Sequence, residues 1–129
     1  MRIMLDTNVL ISALVFGGNT KLLLEKLFFS EHVILVSEYI CDEFSTKLNL
    51  KWPDKADKLM SIFYKLDFQF CKSTNQILGE VRDKKDIPVL SYALYNNADI
   101  LITGDRDFLE SEISKPIILS PNMMLEFLQ

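Results

Sequence analysis

The chain has 129 residues, of which 49% are hydrophobic and 25% are charged, a composition typical of one globular domain with its own core. Its formal net charge of -4 excludes a protein that holds nucleic acid by bulk positive charge alone. Nucleic acid stays open as a substrate, because a bound metal ion can invert the sign of an acidic site.

The first half of the chain predicts two strands and four helices. Short apolar runs place strands at residues 2–5 and 33–36. Helical patterns cover residues 9–14, 21–29 and 37–48, and a fourth helix begins at Pro53. Gly17 and Gly18 form a turn before the second helix, which Asn19 or Thr20 can cap.

The second half continues the alternation of strands and helices. It predicts a short strand at residues 68–71, a helix at 87–96, strands at 100–103 and 117–119, and a last helix after Ser120. No element is assigned to residues 74–81. Strands separated by helices imply parallel pairing with right-handed crossovers. We therefore expect residues 1–129 to form a single α/β domain, a three-layer α/β/α fold around a mainly parallel sheet of four or five strands.

The two cysteines, Cys41 and Cys71, lie too far apart for a zinc motif and do not form a disulfide framework. They are typical of reduced thiols in a cytoplasmic protein. The longest apolar stretch, residues 9–16, is too short to span a membrane and lacks a signal-peptide cleavage pattern. We expect a cytoplasmic location and no membrane partner.

Four of the eighteen acidic residues occupy positions where a site is expected. Asp6 ends the first strand and Asp105 follows the strand at residues 100–103. The carboxyl ends of parallel strands meet at one edge of the sheet, where open α/β proteins bind ligands. Asp86 begins the helix at residues 87–96. Glu43 lies at the border of the buried face of its helix.

The chemistry of this set favours a hard cation. Carboxylate oxygens suit Mg²⁺ or Mn²⁺, and a single histidine, His32, argues against zinc or a Ser-His-Asp triad. Two carboxylates about 4 Å apart repel by roughly 4 kcal/mol at an effective dielectric constant near 20. Such a cluster is tolerated when some members bind protons or when a cation binds between them.

Each acid also has an ordinary structural explanation. Asp6 and Asp86 are well placed to cap the helices that follow them. Glu43 can be a solvated surface group, and Asp105 can belong to a Gly-Asp-Arg-Asp turn. The hypothesis of a site therefore depends on the four residues together.

Several runs in order along the chain resemble the PIN domain family. They are DTNVLIS at residues 6–12, VSE at 36–38 with Glu43 after it, Asp86 leading a helix, LITGDRDF at 101–108 and ILSP at 118–121. The resemblance covers nearly the whole chain. It is greatest to the small prokaryotic branch of VapC-like proteins, many of which are toxins of type II toxin–antitoxin pairs.

The resemblance implies a metal-dependent endoribonuclease that leaves 5′-phosphate and 3′-hydroxyl ends. One or two Mg²⁺ or Mn²⁺ ions would be held by the residues that are also catalytic, namely Asp6, Glu43, Asp86 and Asp105. Supporting polar contacts are expected from Thr7, Asn8 and Thr103, with Asp107 as a fifth acid. The run Lys84-Lys85-Asp86 departs from the acid-rich pattern of many relatives, so Asp83 is an alternative third ligand.

The implied partners are an RNA substrate and a cognate antitoxin protein. A homodimer is also open, because the helix at residues 21–29 has apolar residues beyond those that the core needs. Lys84, Lys85 and Arg106 are candidates for contacts with the RNA backbone. Another set of lysines at helical spacing is better explained as a solvated face, comprising Lys47, Lys51, Lys55 and Lys58.

Two other functions stay open. One is a non-catalytic PIN-like module that binds RNA or protein. The other is a phosphatase or phosphotransferase in which Asp6 is the nucleophile. Enzymes of that class usually carry a second aspartate two positions later, and Asn8 stands there.

Overall fold

A computed structural model of the chain describes residues 1–71, 74, 84 and 87–129. Five strands form one parallel sheet in the order β3-β2-β1-β4-β5. The strands are β1 (Arg2–Leu5), β2 (Val33–Val36), β3 (Gln69–Phe70), β4 (Ile100–Ile102) and β5 (Ile117–Leu119). Helices flank the sheet, which confirms the predicted three-layer α/β/α class.

The middle of the sheet is covered on both faces. Ile3 on β1 is in register with Ile34 on β2 and with Ile100 on β4. Successive residues of a strand point to opposite faces, and both Ile3 and Met4 are fully buried. The continuous apolar runs of these strands follow from this burial.

Seven helices and one π-helical turn connect the strands in the described part of the chain. The helices are α1 (Thr7–Ile11), α2 (Gly18–Phe28), α3 (Glu38–Lys51), α4 (Pro53–Lys65), α5 (Ile87–Tyr95), α6 (Arg106–Leu109) and α7 (Pro121–Phe127). The π-helical turn covers Ser12–Phe16 and closes with a 2.9 Å bond from the Gly17 backbone N–H to the Ser12 carbonyl.

Two helix starts were predicted correctly because their caps are encoded locally. The Ser37 hydroxyl accepts a 3.1 Å hydrogen bond from the Ile40 backbone N–H at the start of α3. Ser120 does the same for Met123 at the start of α7, over 3.2 Å. These bonds satisfy backbone donors that the first helical turn leaves without partners.

The predicted start of α2 is wrong by three residues. The helix begins at Gly18, after Gly17 with φ of 79°, so Thr20 lies inside the helix and does not cap it. Leu22 on this helix is 45% exposed, so α2 does carry apolar surface beyond what the core needs. The sequence predicts no helix at α6, since its four residues are too few to show a periodic pattern.

No single helix among the residues that the structure describes is long and apolar enough to cross a membrane. The segments Thr7–Phe16 and Gly18–Phe28 reach that length only together, and they are bent by 106° where they meet, which is weak evidence for a span.

Cys41 and Cys71 are both free thiols, as predicted.

Candidate functional site at the carboxyl edge of the sheet

Asp6 is held rigidly where β1 ends. Its backbone N–H donates to the Ile102 carbonyl over 3.0 Å, which extends the pairing of β1 with β4 by one residue. One side-chain oxygen, Oδ1, accepts from the Thr7 backbone N–H over 2.8 Å, and the other, Oδ2, accepts from the Thr103 hydroxyl over 2.8 Å. Only 7% of Asp6 is exposed. The carboxylate therefore has one fixed orientation.

Thr103 joins the two strand ends. Its hydroxyl donates to Asp6 and also accepts a 3.0 Å hydrogen bond from the Asp105 backbone N–H. Leu5 is in register with Ile102, so the residues that follow β1 and β4 leave the sheet side by side. This pairing brings Asp6 and Asp105 to one edge, as their places at the strand ends predicted.

Asp105 is half-buried and starts α6. Its Oδ1 accepts a 2.8 Å hydrogen bond from the Asp107 backbone N–H, which makes it the N-cap of that helix. Asp6 likewise caps α1. The capping explanation is thus correct for both acids. It does not exclude a second role, because in each acid the cap bond occupies Oδ1 alone.

Glu43 lies on α3, between the fully buried Ile40 and Phe44, and is itself half-buried. The predicted position of Glu43 at the border of the buried face is confirmed. The negative charge of Glu43 contributes to the raised pKa of Asp6.

The pKa of Asp6 is raised above its ordinary value. Burial is the largest cause, because it penalises the charged form. The hydrogen bonds from Thr103 and from the Thr7 backbone lower the pKa, and the charges of Glu43 and Asp105 raise it. Three carboxylates therefore interact at this edge, and their mutual repulsion is the condition that a bound cation would relieve.

The full predicted set of four acids is not assembled within the described residues. In this part of the chain, no three acidic, histidine or cysteine side chains are close enough together to hold a metal ion. Asp86 and the alternative Asp83 lie outside the described residues, as does Lys85. The structure thus joins Asp6 to Asp105 through Thr103 and brings Glu43 within electrostatic range.

Thr7 and Asn8, the other residues predicted to support the site, differ in environment. Thr7 is 1% exposed, and its hydroxyl has no hydrogen-bond partner among the residues that the structure describes. A buried orphan oxygen of this kind commonly marks the place of a water or ion. Asn8 is exposed, and its side-chain oxygen accepts a 3.2 Å hydrogen bond from the Lys47 ammonium group.

Lys47 is the residue that sequence reasoning placed least well. The lysine spacing predicts that Lys47 belongs to a solvated helix face. In the structure, Lys47 is half-buried, lies one helical turn after Glu43, and donates a hydrogen bond to the Asn8 side chain. Its spacing from Glu43 was visible in the sequence. The contact with Asn8 joins positions 39 residues apart and depends on the packing of α1 against α3.

A small cavity adjoins the acidic edge, and we call it the side cavity. Its volume is about 210 Å³. The lining residues are Asn8, Val9, Ser12, Thr20, Gly104 and Pro121. Asn8 follows Asp6 by two positions and Gly104 directly precedes Asp105, so two of the lining residues are close neighbours of the acids along the chain.

These features define an α/β protein with an acidic, hydroxyl-supported site at the carboxyl edge of a parallel sheet. The profile of the PIN domain family matches residues 2–107, and the chain belongs to that family. The fold is also similar to a chain in the crystal structure of VapBC2 from Rickettsia felis bound to a DNA fragment from their promoter. That match has a TM-score of 0.71 and 19% sequence identity over 93% of this chain and 98% of the other. A search of curated proteins found no match.

Proposed function

We propose that this protein is a metal-dependent endoribonuclease that hydrolyses RNA phosphodiester bonds. PIN domains are generally nucleases, and the chain belongs to that family. The observation that carries the proposal is the position of Thr103, whose hydroxyl bonds both Asp6 and the Asp105 backbone. It fixes the Asp6 carboxylate and, at the same time, the backbone from which the Asp105 side chain extends.

The donor set suits Mg²⁺ or Mn²⁺. Carboxylate oxygens of Asp6, Glu43 and Asp105 are the ligands that hard cations prefer, and Asp86 would complete the set. When bound, such a cation supplies neutralisation of phosphate charge and activation of a water molecule. Burial is the main cause of the raised pKa of Asp6, and the repulsion from Glu43 and Asp105 that adds to it favours the binding of a cation.

The residues of the chain have separate tasks in this proposal. Thr103 and the Thr7 backbone fix the Asp6 carboxylate, so that no side-chain rearrangement is needed when substrate binds. The charges of Glu43 and Asp105 act on Asp6, and we assign one of these two carboxylates as the acceptor of a proton from the attacking water. Lys47 provides positive charge at the rim, where a phosphate next to the scissile bond would lie.

The direct test is cleavage of a mixed-sequence RNA pool in Mg²⁺ or Mn²⁺. We expect Asp6→Asn, Glu43→Gln and Asp105→Asn each to lower kcat by more than about a hundredfold. Asp42→Asn is the matched control, because Asp42 is the exposed neighbour of Glu43 on the same helix. Full activity in all three variants would contradict the proposal, as would equal activity of the wild type in excess chelator.

One observation favours the alternative of a non-catalytic module that binds RNA or protein. In the ranges the structure describes, no three acidic side chains are arranged to hold a metal ion. The cleavage assay separates the two functions. A wild-type protein that binds RNA without cutting it at any divalent metal concentration would establish the module.

We further propose that the protein is the toxin of a type II toxin–antitoxin pair and binds a cognate antitoxin. The likeness of its fold to a chain of VapBC2 supports this. So does an apolar groove of about 470 Å³ beside α2, with Leu22, Phe29 and Leu128 in its lining. Phe29 is 92% exposed and shares this groove with Leu22, which is 45% exposed, and contiguous exposed apolar side chains commonly mark a surface that binds another protein.

Expression in a bacterial host tests the toxin proposal. We expect growth arrest that depends on Asp6, and relief when the product of the adjoining gene is co-expressed. Phe29→Asp should weaken that relief without changing RNA cleavage. Normal growth of cells that contain active, soluble protein would contradict a toxin function. The predicted homodimer stays a prediction.

A further inference from the structure

The side cavity has a chemistry that the acidic residues do not explain. It lies next to Asp6 and Asp105 in the chain, yet its described lining contains no charged side chain. Two hydroxyl groups and an amide supply its polarity, from Ser12, Thr20 and Asn8. A neutral polar lining fits a neutral part of a substrate, such as a sugar.

The two hydroxyls form a pair with defined hydrogen-bonding capacity. The Ser12 Oγ–H donates to Thr20 Oγ1 over 3.2 Å. The Thr20 hydroxyl proton therefore needs another acceptor, and the Ser12 oxygen keeps lone pairs for another donor. The pair therefore keeps one free O–H, on Thr20, and three acceptor lone pairs. A ribose 2′-hydroxyl can accept from the Thr20 hydroxyl and donate to the Ser12 oxygen, whereas deoxyribose has no group that does either.

The size of the side cavity also selects among ligands. Its volume of about 210 Å³ is below the 300–1,000 Å³ usual for drug-sized ligands. A single sugar fits this space. The Lys47 ammonium group lies 3.2 Å from the Asn8 side-chain oxygen and so places positive charge beside the lining, where a phosphate attached to that sugar would lie.

We propose that the side cavity is a ribose subsite, in which Ser12 and Thr20 read the 2′-hydroxyl of the nucleotide next to the scissile phosphate. The proposal rests on the ribonuclease function proposed above and adds the basis on which RNA is distinguished from DNA. It makes Ser12 and Thr20 specificity-determining residues. A site built to bond a hydroxyl disfavours the analogue without it, because its own polar groups then lose their partners.

The test measures cleavage by the full-length protein in Mn²⁺. The reference substrate is a short single-stranded RNA with one cleavage site. Two further substrates each carry a single 2′-deoxyribose, one on the 5′ side of that site and one on the 3′ side. For the wild type, we expect one deoxy position to lower kcat/KM by roughly five- to tenfold, mainly through KM. Thr20→Val and Ser12→Ala should lower kcat/KM for the RNA by a similar factor and leave the deoxy substrate unchanged.

Two variants separate this effect from a structural one. Thr20→Ser keeps the hydroxyl and should keep the preference for ribose. Thr46→Val removes a threonine hydroxyl from the exposed side of α3 and should change neither substrate. The ribose subsite is overturned if Thr20→Val slows both substrates equally, or if it slows neither.

A binding measurement tests the ribose subsite without depending on RNA cleavage. The Asp6→Asn protein is titrated with a labelled uncleaved RNA and with DNA of the same sequence, and fluorescence anisotropy gives both Kd values. We expect tighter RNA binding, and loss of that preference when Thr20→Val is added. Preference without any wild-type cleavage would support the subsite and contradict the nuclease. Cleavage with a preference that Thr20→Val leaves intact would contradict the subsite alone.

Discussion

The charged residues at the two ends of the sheet have different surroundings. At the amino end, Asp99 accepts a 2.7 Å hydrogen bond from the Arg2 backbone N–H, and the Arg2 guanidinium donates to the Asn96 carbonyl over 3.0 Å. Each of these two charged residues has a hydrogen-bond partner there. At the carboxyl end, Asp6 is buried and two further carboxylates act on it. An arrangement that opposes folding stability is expected where function requires it, so the contrast supports the proposed site.

The largest expected effect concerns Thr103. Thr103→Val keeps the side-chain shape but leaves the Asp6 Oδ2 atom and the Asp105 backbone N–H without a partner. We expect a loss of about 2–3 kcal/mol in the free energy of unfolding, from denaturant titration, together with loss of RNA cleavage. Thr103→Ser should restore most of both. A Thr103→Val protein as active as the wild type would contradict the role given to this hydroxyl.

The same substitution at the two ends should have opposite effects. Asp6→Asn keeps an oxygen for the Thr7 cap bond and removes a buried charge that two other carboxylates repel. The bond that Thr103 donates to Asp6 is replaced by one that the amide N–H can donate to the Thr103 oxygen. In the absence of divalent ions, we expect it to raise Tm by roughly 3 °C, the shift that about 1 kcal/mol gives in a domain of this size. Asp99→Asn weakens a favourable contact and should leave Tm unchanged or slightly lower. A lower Tm for Asp6→Asn would break the comparison.

A smaller effect is expected for Lys47, and it concerns RNA binding at the carboxyl end of the sheet. We expect Lys47→Met to raise the Kd for single-stranded RNA and to reduce the slope of log Kd against log salt by about 0.7, the value for one phosphate contact. Lys51→Met is the matched control, because Lys51 is exposed at the end of the same helix. Equal slopes in the two variants would show that Lys47 does not contact phosphate.

The smallest expected effect is the contribution of His32, at the amino end of the sheet, to the pH dependence of folding stability. Burial, and then the positive charge of the Met1 amine, lower the pKa of His32 below 6.5. The unfolded chain therefore binds a proton before the folded one. The contribution of His32 to stability is complete above pH 6.5 and is lost as pH falls through the lowered pKa. Denaturant titrations from pH 7.5 to 5.5 should show a small decline that His32→Gln removes, with no change in cleavage chemistry.

Much of the fold was predictable because its causes are local. Apolar runs gave the strands, and the serine caps gave the starts of α3 and α7. The meeting of Asp6 and Asp105 was predictable as well, since parallel strands place their carboxyl ends together. The Ser12–Thr20 pair and the Lys47–Asn8 contact were not, because each depends on how separate helices pack. The position of Asp86 stays a prediction, outside the described residues.

Thermal unfolding in a Mn²⁺ titration tests most directly whether the carboxyl edge binds a divalent cation. We expect millimolar Mn²⁺ to raise the Tm of the wild type, because an ion that binds only the folded state stabilises it by mass action. The increase should be smaller or absent in Asp6→Asn and Asp105→Asn, and unaltered in Asp42→Asn. A wild-type Tm that does not change at any Mn²⁺ concentration, or one that rises equally in all four proteins, would contradict a metal site at this edge.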